Sequence, residues 1–137
     1  MSEENLEIVL KVIDAVNRRD RDAFMACLHP DVEWREESGD PFPGLRGIYR
    51  GRAEVRAWFD EAVLEPWESF DLEVEEITKA SDTQVFIGIR GSARGKASGV
   101  ETELRAWQVF TYVDGKAASR ETFLNRDKAL EAAGLSE

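Results

Sequence analysis

The apolar residues of this chain change period part-way along, and that change limits the folds open to it. Over the first third, Leu6, Val9, Leu10, Ile13 and Val16 recur at helical spacing, with Glu3 and Glu4 in the first turn and Arg18 and Arg19 in the last. A short second helix follows, capped by Asp20 or Asp22 and presenting Phe24, Cys27 and Leu28 on one face until Pro30 stops it. Val32, Trp34 and Glu36 alternate with Glu33 and Arg35, which predicts a short strand. Val55, Trp58, Phe59 and Ala62 mark a third helix that ends before Pro66. From there the period is two. Phe70, Leu72 and Val74 alternate with acids, and Val85–Ile89 and Glu103–Phe110 follow the same rhythm. Asp114-Gly115 reads as a tight hairpin turn, followed by a strand over 117–125. A last short helix over Lys128–Ala133 ends at Gly134, a residue suited to a left-handed cap. Helices first and a meander of strands afterwards make an α+β fold, with the helices on one face of a curved, mainly antiparallel sheet. Such a sheet, closed by helices at one end, encloses a conical pocket. Its other face must be solvated or paired with a second subunit.

The length of 137 residues suits a single domain over 1–137. The formal net charge of −10 disfavours phosphate backbones and anionic lipid, so neither nucleic acid nor membrane is an expected partner. No apolar run approaches the roughly 18 residues of a membrane span, and the acidic N-terminus lacks a signal-peptide core. A cytoplasmic location is expected. One Cys (Cys27) and one His (His29) preclude an internal disulfide and a Cys/His metal cluster, so no metal is expected. His29-Pro30-Asp31 reads as a structural turn, with His29 at a helix C-terminus.

Residues 37–51 form a loop rich in Gly and Pro whose Phe42, Leu45 and Ile48 either close over an apolar cavity or pack locally. The run from Gly91 to Ser98 superficially resembles a phosphate-binding loop. Its spacing is one residue short, Ala97 stands where a hydroxyl is required, and a strand follows instead of a helix, so a bulge or wide hairpin is the expectation. Trp34 and Trp107 share strand faces with polar groups and are candidate pocket-lining residues, whereas Trp58 suits core packing or the pocket wall. Glu36, Glu103 and Glu121 lie on strands among apolar neighbours. A carboxyl desolvated in an apolar cavity becomes a usable acid or base near neutral pH. Arg105, two residues after Glu103, could hold a carboxylate ionised or bind an anionic group. The competing reading for these charges is a ladder along the solvated face, and strand phase alone leaves that choice open.

Several segments together resemble a known family. They are Ala15-Val16-Asn17-Arg18-Arg19-Asp20 with Phe24, His29-Pro30-Asp31-Val32-Glu33-Trp34, Tyr49-Arg50-Gly51-Arg52-Ala53-Glu54-Val55, Asp114-Gly115-Lys116, and Arg126-Asp127-Lys128-Ala129-Leu130. They resemble the SnoaL-like polyketide cyclase family of the nuclear transport factor two-like superfamily. The resemblance implies a cone-shaped α+β barrel with a deep pocket, often dimeric, in a superfamily of cyclases, isomerases, epoxide hydrolases, dehydratases and binding modules. Laid on the ketosteroid isomerases, residues 12–36 put Glu36 at the base position, but Val12 and Trp107 where those enzymes carry their Tyr and Asp oxyanion donors. Steroid isomerisation by that mechanism is therefore not expected. Arg120-Glu121-Thr122-Phe123 is similar to the acid-bearing strand of SnoaL-type cyclases and of limonene epoxide hydrolase-like enzymes, which carry Asp at the place of Glu121.

The expectation is a cofactor-free pocket protein, homodimeric, binding a small and mostly apolar organic molecule. Its site would comprise Glu36 and Glu121 as acid/base groups, with Trp34, Trp107, Arg105, Glu103, Val12 and Trp58 around the ligand. Cyclase- or isomerase-type chemistry leads this reading. A non-catalytic binding or dimerisation module and an epoxide hydrolase-like addition of water are the alternatives.

Overall fold

The computed structural model describes residues 2–36 and 47–135. Helix α1 (Ser2–Asn17) buries Val9, Val12, Ile13 and Val16 along one stripe, while Leu10 is half exposed. The chain turns through Arg19, which adopts a left-handed φ of 56°, into α2 (Arg21–Ala26). The cap of α2 is Asp20, whose carboxylate accepts the Ala23 N–H at 3.0 Å. Strand β1 (Leu28–Glu36) starts earlier than the alternation predicted. His29 and Pro30 therefore belong to a strand and not to a helix end, and His29 Nδ1 accepts the Asp31 N–H at 3.0 Å. The strand tolerates Pro30 because its pairing register shifts between Leu28 and Glu33.

Strand β2 (Ile48–Arg50) pairs back on β1. Phe42 and Leu45, expected on a loop either over the cavity or packed locally, fall outside the described residues, and Ile48 lies in β2. Helix α3 (Gly51–Trp58) continues as a π-helical turn, Phe59–Leu64, in which the Glu65 N–H reaches the Asp60 carbonyl at 2.8 Å. The apolar spacing alone predicted one uniform helix here. The widened turn is held from outside. Arg19 donates to the carbonyls of Val63, Leu64 and Trp67 at 3.2, 2.9 and 3.1 Å, and the Trp67 indole donates to Ala62 at 3.0 Å. These donors satisfy carbonyls that a helix end leaves without intrahelical partners.

Strands β3 (Trp67–Lys79), β4 (Gln84–Gly95), β5 (Glu101–Val113) and β6 (Lys116–Phe123) complete a six-stranded curved sheet in the order β2-β1-β6-β5-β4-β3. Among the described residues only the β1–β6 pairing is parallel, and the sheet stays open at its two edges. The β5–β6 turn puts Asp114 and Gly115 at φ of 52° and 74°, the left-handed pair that a two-residue hairpin requires. Helix α4 (Arg126–Ala132) is capped by Asn125 and followed by Gly134 at φ 73°.

The inner face carries Val85, Ile87, Ile89, Ala106, Phe110 and Tyr112 against α1–α3. On the outer face Phe86 and Val109 are covered by Ala129, Leu130 and Ala133 at the end of the chain. Residues 85–89 are thus buried on both sides, which is why they read as apolar at successive positions. Beyond α4 the outer face is charged. Arg90 pairs with Glu103 at 2.7 Å, Arg94 with Glu101 at 2.7 Å and Arg105 with Glu75 at 3.3 Å. The segment after Gly91 continues β4 to Gly95, whose N–H bonds the Val100 carbonyl at 3.1 Å across a wide hairpin. Among the described residues, no helix is long and apolar enough to cross a membrane.

Candidate functional site

Glu36 is the last residue of β1 and lies opposite Thr122 of parallel β6, as Trp34 lies opposite Arg120. Alternation along both strands sends Trp34, Glu36, Arg120 and Thr122 to the inner face. There a cavity lies between the sheet and the α3–π segment, with about 80 Å³ open to the centres of water molecules. Its wall is mostly apolar: Ile89, Gly91, Ala93, Leu104 and Ala106 from the sheet, Phe70 and Leu72 from β3, and Trp58 and Ala62 from the helical side. The sheet side of that wall includes the small residues Gly91, Ala93 and Ala106. At Gly91 an added Cβ would stand 3.3 Å from Leu72 Cδ2.

One end of the cavity is polar. Arg120 ion-pairs with Glu36, and their side chains are 3% and 7% exposed. The guanidinium also donates to the Thr122 hydroxyl, which receives Gln108 Nε2 at 3.1 Å as well. Two indoles form a corner around the cation: the Arg120 guanidinium carbon is 4.6 Å from the Trp34 ring centroid and 4.9 Å from that of Trp58. Desolvated cation–π contacts contribute about 2 kcal/mol each. A buried ion pair, by contrast, gives little net stability over apolar side chains of similar size. The pair thus sets a buried anion and a buried cation in the wall of the cavity.

The structure separates the candidate residues into two groups. Glu36 and Trp58 line the cavity, and Trp34 backs Arg120. Val12 is buried in the core on α1, outside the cavity wall. Glu121 sits between Arg120 and Thr122 and so projects to the opposite face of β6. Trp107 is on the outer face beside α4, with its indole 3.2 Å from where a Gly88 Cβ would stand. Glu103 and Arg105 belong to the outer ladder of ion pairs. Sequence reasoning passed over Arg120, Thr122 and Gln108. Their signal was present: Arg120 and Thr122 flank Glu121 at the period of a strand, so choosing the other phase of β6 selects them.

Two further titratable groups lie in or against the core, Tyr112 buried and Cys27 half-buried. Burial pushes the Tyr112 hydroxyl far above its ordinary value, and it has no hydrogen-bond partner among the described residues. Burial also raises the Cys27 thiol, against a smaller opposing effect of Lys116.

The model of the SnoaL-like domain matches residues 9–120. The chain belongs to the SnoaL-like domain family. No match was found among curated proteins. Solved structures share the fold of this SnoaL-like chain at low identity. One is TerC co-crystallised with polyporic acid, at 22% identity and a TM-score of 0.77, covering 96% of this chain and 98% of TerC. An NTF2-like protein of unknown function from Burkholderia pseudomallei is 23% identical with a TM-score of 0.78, covering 93% and 95% of the two chains. RV0760c of Mycobacterium tuberculosis, in complex with estradiol-17beta-hemisuccinate, is 17% identical with a TM-score of 0.74, over 90% of this chain and 95% of that one.

Proposed function

We propose that this SnoaL-like protein binds a small, mostly apolar organic molecule in the cavity and acts on it by cofactor-free acid/base chemistry at Glu36. The observation that carries the reading is the Glu36–Arg120 pair, buried at one end of a mostly apolar cavity. Apolar walls with a few convergent polar groups are what an organic ligand requires. Related folds crystallised with polyporic acid and with estradiol-17beta-hemisuccinate support ligand binding at the level of the fold.

In this reading the ligand carbonyl docks beside Arg120. The Glu36 carboxylate takes a proton from the adjacent carbon, the C–H electron pair moves into the carbon framework, and negative charge collects on the carbonyl oxygen. The negative charge thus passes from Glu36 to the ligand while the guanidinium stays in place to stabilise it. Glu36 then returns the proton to carbon, at the same or a conjugated position. With Glu121 on the opposite face of β6, one carboxylate performs both transfers, which favours isomerase- or cyclase-type chemistry without loss of atoms. The proposal includes the homodimer, and sedimentation equilibrium giving the mass of one chain would remove that part.

The test is a thermal-shift screen with neutral ketones, lactones and aromatic polyketides, because a ligand that binds only the folded state raises the melting temperature. Wild-type protein should be stabilised by ketones. Glu36→Gln should retain part of the shift and Arg120→Met should lose it. Equal shifts in all three proteins would place binding elsewhere.

A further inference from the structure

We infer that the cavity is a one-ended trough for an elongated ligand with a single polar head, closed at Glu36–Arg120 and opening beside Thr102. The inference rests on the head-group reading above and adds the shape and length of the body. Strand β5 provides a ruler. Its inward positions Gln108, Ala106, Leu104 and Thr102 are spaced by about 7 Å each. Exposure rises toward the mouth: Gln108 and Ala106 are buried, at 8% and 4%, Leu104 is half-buried and Thr102 exposed. On the paired strand Ile89 and Ala93 are buried, at 6% and 8%, with Gly91 half-buried between them, so that strand stays a covered wall along the trough.

From Gln108 to Leu104 the trough runs about 13 Å, roughly the length of a ten-carbon chain. Over that stretch the side chains of Ile89, Ala106, Leu104, Leu72 and Phe70 offer no polar atom. A second polar group on the ligand body would be buried without a partner there, a burial that is strongly unfavourable. The ligand class is therefore a one-headed, extended molecule such as a long-chain ketone, in preference to one polar at both ends.

The experiment is a calorimetric titration of the intact protein with straight-chain methyl ketones from 2-pentanone to 2-heptadecanone. Affinity should rise about threefold to fourfold per added methylene while the chain stays in the trough. The rise should stop once about ten carbons lie beyond the carbonyl. Ala106→Leu, placed about half-way along, should move the break to about half that length, and Ala106→Val provides the same block if the larger side chain prevents folding. A flat series, a rise that never breaks, or a break that both Ala106 variants leave in place would overturn the trough. If Glu36→Gln binds every ketone as tightly as wild type while the break persists, the head-group reading fails and the trough stands.

Discussion

Arg120 is held by three kinds of contact at once: a carboxylate, a hydroxyl and two indole faces. Removing its charge leaves Glu36 buried without that partner, so Arg120→Met should lower the unfolding free energy by about 3–5 kcal/mol. Replacing both members, Glu36→Leu with Arg120→Met, should cost much less than the two single changes added together. Denaturant titration of the four proteins measures this coupling, and additive costs would deny that the pair acts as a unit. Tyr112 gives the opposite case. Its hydroxyl is buried and unbonded among the described residues, so Tyr112→Phe should be neutral or stabilising by about 1 kcal/mol. A clear loss of stability would reveal a partner for that hydroxyl. Glu36 was legible in the sequence because it follows Trp34 at strand period, and a buried Trp fixes the phase. Arg120 was not, because β6 alternates between two plausible faces. Its phase is set by parallel pairing with β1, a contact between residues about 84 positions apart that no local pattern carries.

The elements themselves were largely readable, since each announces itself through period, caps and breakers. The exceptions are the early start of β1 at Leu28, strand β2 within the expected loop, and the π-helical turn after α3, which depends on Arg19 reaching across from the end of α1. Arg19→Gln should therefore cost about 1–3 kcal/mol and speed hydrogen exchange at the Glu65 amide, whereas Arg18→Gln, at a mostly exposed ion pair, should change stability by less than about 0.5 kcal/mol. Equal effects at the two positions would mean that the turn is held by something else. Helix α4 is tied to the sheet by Arg126, whose hydrogen bond to Glu76 holds that carboxyl below its ordinary value. A carboxyl lowered in the folded state adds stability above its unfolded value and loses it as pH falls through the folded one. Glu76→Gln should therefore lower stability by no more than about 1 kcal/mol at neutral pH, because the pair is partly exposed. That difference should vanish below the carboxylate range. A difference that persists in acid would attribute the effect to packing. The face taken by Glu103 and Arg105 also had to await tertiary structure, because α4 covers only one end of the outer sheet and leaves the charged end to solvent.

At the scale of the molecule, the open mixed sheet wraps a mostly apolar cavity, with one charged pair at its end. The α+β architecture followed from the order of periods along the chain. The cavity did not, because its wall joins residues of separate strands with the helical side. Filling it with Ala106→Leu should keep or raise the melting temperature, as the cavity takes up the added atoms, while weakening binding of long ketones at least tenfold. A large fall in melting temperature would mean that the site is already packed. The central claim is that Glu36 moves a proton on a ligand carbon, and deuterium exchange tests it most directly. A ketone is incubated with the protein in D2O, and nuclear magnetic resonance follows label entering the carbon next to the carbonyl. Wild type and Glu121→Gln should exchange the ketone alike, and Glu36→Gln should be slower by about 10²–10⁴-fold. Exchange in Glu36→Gln at the wild-type rate, or its loss in Glu121→Gln, would contradict the account.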